Sequence, residues 1–272
     1  MQLHTLMETI ATVLALNVGI LALVRFYSKK DNTFLFVGTG FFSTGLLDGY
    51  HAVVTSSFFE AYFPSPPPSL IPWSWLASRL FLSILLWLSW VFWKREAALG
   101  EAGRLGERWV YGIVGALALA CFVFFALVPL PPAYHPALVL SRPQEFVPAG
   151  FFLLALIGYL RKGQWKSDAF EHWLVLSLIV NFMGQAMFMS SSERLYNMMF
   201  DAAHLLKKLS YIILPKIFDP YFTTKDQGSG IGLYMSKMII ERNLNGTITA
   251  SNVNQGTLVT ITLPLQPKDF QA

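Results

Sequence analysis

Residues 73–93 read WSWLASRLFLSILLWLSWVFW, with Arg79 as the one charge in 21 positions. A helix of that length, at about 1.5 Å per residue, reaches about 30 Å, the thickness of the hydrocarbon core of a bilayer. Runs at 6–27, 33–58, 109–130, 146–161 and 173–190 repeat the pattern. A seventh, LYNMMFDAAHLLKKLSYIIL at 195–214, is apolar apart from Asp201, His204, Lys207 and Lys208. The chain as a whole agrees: of 272 residues 54% are hydrophobic and 13% charged, with a mean hydropathy of +0.48. Soluble domains carry about 25% charged residues, so the composition argues against a conventional water-soluble enzyme. The sequence predicts a mainly α, polytopic transmembrane bundle of about seven spans over 1–214. A small soluble tail follows over 215–266, with a terminal stub at 267–272.

The formal net charge of +4 does not point to nucleic acid, because the basic residues sit in short loops between apolar runs. Lys29 and Lys30 follow the first run. Lys94, Arg95, Arg104 and Arg108 follow the third, and Arg161, Lys162 and Lys166 the fifth. The alternate loops hold none in 59–72, then Arg142, then Arg194. Positively charged loops stay inside, which predicts an N-terminus outside and, with seven spans, a cytoplasmic tail in a multi-pass cell-membrane protein. Cys121, the single cysteine, lies in an apolar run and excludes an intramolecular disulfide or a cysteine-based zinc site. The first run lacks a basic start and a cleavage site before Arg25, so it reads as a span, not a signal peptide. The loop EAYFPSPPPSLIPWSW at 60–75 reads as an extended connector with Trp73 and Trp75 at the interface.

Two spans carry an acid and a histidine three residues apart: Asp48 with His51, and Asp201 with His204. That spacing places each pair on one helix face. Ionisable groups in hydrocarbon are costly, face the bundle interior and mark functional sites by default. Arg79 and Lys207 can neutralise the carboxylates, Asn181 and Gln185 can line the same interior, and Lys208 points away toward the interface. Three roles are open: a register-fixing ion-pair network, a ligand- or proton-sensing pocket, or a metal site of two Asp and two His ligands. No particular metal is specified.

LLDGYH at 46–51, WSWLASR at 73–79 and MFDAAHLLKKLSY at 199–211 resemble the membrane-associated sensor domains found at the N-terminus of bacterial and archaeal signalling proteins. The resemblance spans roughly 5–214 and implies sensing without naming a ligand.

From Pro215 the character changes. Gly228, Ser229, Gly230, Ile231, Gly232 and Leu233 form a glycine-rich turn entering an amphipathic helix at 231–244. Closely spaced glycines allow backbone N–H groups to approach phosphate at a helix N-terminus. Asn245-Gly246 ends that helix, and alternating runs at 247–252 and 257–263 read as a β-hairpin. IFDPYFTTK at 217–225 followed by GSGIGL resembles the F box and second glycine box of sensor histidine kinases of the GHKL type. The resemblance implies part of a Bergerat-type α+β ATPase fold, with ATP and Mg²⁺ as cofactors. It also implies an ATP lid of Phe218, Thr223, Thr224, Lys225 and the residues from Gly228 to Leu233.

In that family the Mg²⁺-holding Asn helix, the adenine-reading Asp-x-Gly-x-Gly box and the phosphoacceptor histidine lie upstream. None of them is found in this sequence. The five histidines, His4, His51, His135, His172 and His204, lack the phosphoacceptor context. The expectation is a membrane sensory protein of two-component lineage that has lost the kinase middle and is no competent kinase alone, with no catalytic residue assigned. The alternatives are an active kinase completed by a partner chain and, last, a transporter-like protein. The partners implied are the lipid bilayer, a second copy or a full-length kinase, and a response regulator; nucleic acid is not among them.

Overall fold

A computed structural model describes residues 2–54, 56, 58, 62–214, 236–237, 239–253 and 256–264. The chain divides into two units, Met1–Phe218 and Asp219–Ala272.

In the first unit the described residues form α1 (Gln2–Lys29), α2 (Asn32–Val54), α3 (Pro67–Leu99), α4 (Glu107–Leu127), α5 (Phe146–Lys162), α6 (Ala169–Met183) and α7 (Met198–Ile212). Every expected span is therefore a helix. Five stretches, His4–Lys29, Pro67–Gly103, Glu107–Leu127, Pro143–Lys162 and Ala169–Met189, are long and apolar enough to cross a membrane. Among the described residues α2 and α7 do not meet that length and composition, so five of the seven expected spans are supported on this ground. The reason is positional. α2 carries Asn32, Thr33, Thr39, Ser43, Thr44, Asp48 and His51, all buried between its neighbours, so lipid does not select its composition. α7 has only 15 residues, with Lys207 and Lys208 turned inward.

α1 packs along α2, α2 on α3, α3 on α5, α5 on α6 and α6 on α7; α7 closes the ring against α1. α4 lies at the periphery, burying only Val110, Val114, Ala118 and Phe125. Its outward Trp109, Ile113, Leu117 and Leu119 present the apolar surface a bilayer requires. The α1–α2 hairpin is the closest pairing. Ala11, Ala15, Val18 and Ala22 form its buried stripe on α1. At two points the backbones approach so closely that only glycine fits. A Cβ on Gly19 would lie 2.5 Å from the Phe42 nitrogen, and one on Gly38 would lie 2.9 Å from the Leu23 nitrogen. Helices in lipid associate through such small-residue seams, because apolar burial gains little there.

Asn32 ties the basic end of the hairpin to the α3–α4 connection. Its Nδ2 donates to the carbonyls of Phe92 at 3.2 Å and Gly103 at 3.1 Å, and its Oδ1 accepts from the Leu105 N–H at 3.0 Å. Its backbone N–H donates to Glu96 Oε2 at 2.9 Å, while Arg104 bridges Glu96 and Glu101 at 2.8 Å each.

The proline-rich segment is not an extended connector throughout. Pro67 and Pro68 occupy the start of α3, where a missing N–H costs nothing, and Pro72 lies inside the helix. Trp73 is half-buried and donates to the Pro131 carbonyl at 2.9 Å. Trp75 is a core residue, not an interfacial one.

In the second unit β1 (Thr247–Val253) and β2 (Gly256–Thr262) pair antiparallel, with Thr247 opposite Thr262. The expected hairpin is present within one residue at each end. Before it, Ile239–Asn243 form a wide helical turn that ends at Asn245, whose φ of 49° is left-handed. Ser236 and Lys237 are also helical, whereas residues 231–235 and 238 of the expected helix and the whole ATP lid, Phe218 to Leu233, lie outside the described residues.

Asn32→Ala removes the side-chain bonds to the Phe92 and Gly103 carbonyls and from the Leu105 N–H, the Gly103 bond being buried; a buried polar group left unmet costs about 1–3 kcal/mol. Thermal unfolding in detergent should register a loss of about 2 kcal/mol or more.

Candidate functional site

Four helices bring ionisable side chains to one buried locus near the start of α1, the end of α2 and the first half of α7. Glu8 on α1 is fully buried, and its Oε2 receives Lys207 Nζ from α7 at 2.5 Å. The same ammonium lies 3.2 Å from Asp48 Oδ1 on α2. Asp48 also accepts from Ser78 Oγ of α3 at 2.5 Å and from the Tyr211 hydroxyl of α7 at 3.4 Å. Every charge has an opposite or a donor in reach, which is what makes a buried ionic cluster tolerable.

Arg79 is fully buried but does not pair with a carboxylate directly. Its Nη1 donates to the Tyr211 hydroxyl at 3.0 Å, and its Nη2 donates to Asn181 Oδ1 on α6. Asn181 in turn accepts from Ser210 Oγ at 3.1 Å. The guanidinium therefore acts on Asp48 through Tyr211, and it sits against the faces of Phe152, Trp75 and Tyr211.

Lys208 departs from expectation. It does not reach for the interface: its Nζ donates to the His204 carbonyl at 2.8 Å and lies 3.6 Å from Glu8 Oε1. Asp201 departs in the opposite sense. It is exposed in the first turn of α7, where its charge complements the helix N-terminus capped by Asn197. Glu8 stands where the second acid was expected. Being the one acid in the first apolar run, it carried a legible signal.

Around this cluster stand three buried histidines. His4 of α1 lies edge-on to His204 with ring centroids 4.9 Å apart, and edge-on to His51 at 5.5 Å. Their nitrogens offer one ligand atom each within 4.8 Å of one another. Trp75 walls the site, its ring 4.1 Å from His204 and 4.6 Å from Lys207 Nζ.

Gln185 belongs to a second buried group. After α6 the helix widens at Gly184–Met189, a local irregularity frequent at functional positions, and Gln185 Nε2 donates from there to Glu145. Glu145 pairs with Arg142, whose guanidinium also lies 3.4 Å from the Pro72 carbonyl. Arg142 is thus no free loop charge. The acid three residues after it, at the start of a short apolar run, was the available signal.

The family follows from comparison with known proteins. Residues 1–218 match the model of the membrane-associated sensor domain. The chain belongs to that sensor family. Residues 207–267 match the model of the histidine kinase-, DNA gyrase B- and HSP90-like ATPases. Among curated proteins the chain is similar to the two-component sensor PprA of Pseudomonas aeruginosa, 44% identical over 55 residues, 20% of this chain and 6% of that protein. It is also similar to the signal transduction histidine-protein kinase AtoS of Escherichia coli, 43% identical over 56 residues, 21% of this chain and 9% of that one. The sensor protein FixL of Bradyrhizobium diazoefficiens is 40% identical over 52 residues, 19% of this chain and 10% of its own. The chain spans a tenth or less of the length of these relatives. No solved structure matches.

Of the two acids spaced three residues before a histidine, Asp48 is buried and Asp201 is exposed. Asp48→Asn leaves Lys207 short of a counter-charge and should cost about 3 kcal/mol in detergent unfolding. Asp201→Asn, at an exposed site, should stay within about 0.5 kcal/mol of the parent.

Proposed function

We propose that this chain is the membrane-embedded sensory component of a two-component system of histidine-kinase lineage, and that the cluster of Glu8, Asp48, His51, Arg79, His204 and Lys207 is its signal-responsive site. The observation that carries the reading is the overlap of the two family matches: the sensor domain runs to residue 218 while the ATPase match begins at 207. α7 lies across that overlap. It is the helix that contributes His204, Lys207 and Tyr211 to the cluster, and the chain leaves it directly into the kinase-like segment. A change in the charge or ligation of the cluster therefore acts on the last helix before the ATPase portion, with no intervening domain.

We further infer that the chain does not phosphorylate itself. Phosphoryl transfer is mostly positioning and charge stabilisation around metal, base and acceptor. The lid residues, with Lys225 and the backbone of Gly228–Gly232, supply phosphate contacts alone. Three of the five histidines, His4, His51 and His204, are buried among α1, α2 and α7, far from the context of a phosphoacceptor. ATP and Mg²⁺ binding, and pairing with a second copy, a full-length kinase or a response regulator, belong to the lineage and are part of this proposal. So is the orientation, N-terminus outside and tail in the cytoplasm.

Reporter fusions at Asp226 and in the loop near Ser65 should report opposite compartments; one shared compartment contradicts the orientation. Detergent-purified chain incubated with labelled ATP and Mg²⁺ should acquire no label on histidine. Acid-labile label that disappears in Gly230→Ala would overturn the inactive reading and indicate a competent kinase.

A further inference from the structure

Among the described residues, buried side-chain atoms without a hydrogen-bond partner are scattered through the sensor unit, and four of them gather at one end of the bundle. Nε2 of His4, of His51 and of His204, and Oε1 of Glu8, are all buried without a hydrogen-bond partner. Four orphaned polar atoms converging at one place is a pattern that native interiors avoid.

The protonation of two rings follows from their neighbours. His204 Nδ1 lies 2.8 Å from the Phe200 carbonyl, which can only accept, so Nδ1 carries the hydrogen. His51 Nδ1 lies 2.7 Å from Ser74 Oγ, whose single hydrogen is directed to the Leu70 carbonyl at 2.7 Å. With that hydrogen so placed, Ser74 accepts and His51 Nδ1 is the donor. In both neutral rings the bare lone pair is on Nε2, facing the others. His204 Nε2 and Glu8 Oε1 lie 3.7 Å apart with no hydrogen between them to share. Acceptors facing one another in a buried place call for a cation.

We propose that His4, His51 and His204 form a three-imidazole site for a first-row transition-metal ion, with Glu8 Oε1 as the fourth ligand. The candidate nitrogens lie within 4.8 Å of one another. A tetrahedral ion with bonds of about 2.1 Å needs ligands about 3.4 Å apart, a contraction within side-chain adjustment. Outer partners of the kind supplied by Phe200 and Ser74 are what fix ligand tautomer and ring orientation in metal sites. Imidazole nitrogen selects copper, zinc, nickel or iron over Ca²⁺ and Mg²⁺, which need oxygen sets. Lys207 and Lys208 already balance Glu8 and Asp48, so an added ion leaves the cluster cationic. Three imidazoles with a carboxylate in tetrahedral geometry are a ligand set that suits Zn²⁺, whereas Cu⁺ adds half the charge, so both ions are tested. The ligands lie in the first turn of α1, the last turn of α2 and the second turn of α7, so the site is near one end of the bundle. This inference stands on the geometry and does not require the signalling reading.

The test uses the full chain, purified in detergent with an affinity tag that contains no histidine. The protein is dialysed against Cu⁺ under reductant, or against Zn²⁺, and retained metal is counted. One equivalent per chain is expected, with affinity falling at least about tenfold in each of His4→Ala, His51→Ala and His204→Ala. The variants His135→Ala and His172→Ala, at exposed positions, should bind as the parent does. X-ray absorption of the loaded parent, which needs no variant to fold, should register imidazole nitrogens as the main scatterers. Stoichiometric retention of neither ion, undiminished binding by the triple variant, or an all-oxygen coordination shell would each overturn the proposal.

Discussion

The contact of Lys207 with Glu8 and Asp48 is the interaction on which the rest of the sensor domain depends. It joins the first helix to the last through the second, at a sequence separation of 199 residues between Lys207 and Glu8. In lipid an unpaired ammonium or carboxylate costs several kcal/mol, so these helices cannot part independently. Packing of apolar surface offers no such penalty there, because lipid tails are as apolar as leucine. Closure of the helix ring is thus enforced by charge and refined by shape, the glycine seam between α1 and α2 supplying the latter.

The same arrangement explains why the site is suited to responding. The pairing is redundant: Glu8 faces Lys207, Lys208 and His204, and Asp48 faces Lys207, Ser78 and Tyr211. A cation arriving at the histidines can draw Glu8 Oε1 without stripping Lys207 of every counter-charge. The change falls on α1, α2 and α7, and α7 is the helix that runs into the ATPase segment. A rigid single pair would either hold or break; this cluster has intermediate arrangements to shift between.

Much of this was legible in the sequence, and the failures have physical causes. The helices were readable from apolar runs, and the hairpin from its alternation and its Asn245-Gly246 punctuation. Asp48 with His51 was readable because α2 is enclosed, so both members of the spaced pair turn inward. The same spacing misled at Asp201, which occupies the first turn of α7 at the bundle's end, where no neighbouring helix covers it. Glu8 and His4 sit at the start of a run whose apolar content dominated its reading. Trp75 and Lys208 suited the interface by type, and only the closing of α7 against α1 and α3 turned them inward. Spacing fixes which residues share a face, and which face is covered is decided by helices far away in sequence.

The central claim, that a buried charge cluster locks the first helix to the last, is tested most directly by a double-mutant cycle between Glu8→Gln and Lys207→Met, read by unfolding in detergent or bicelles. Either change alone leaves a buried charge short of its nearest partner and is expected to cost about 3 kcal/mol. Together they should cost clearly less than the sum, because each removes the group the other had stranded. Costs that add to within about 0.5 kcal/mol would mean the two side chains do not sense one another, and would contradict the account.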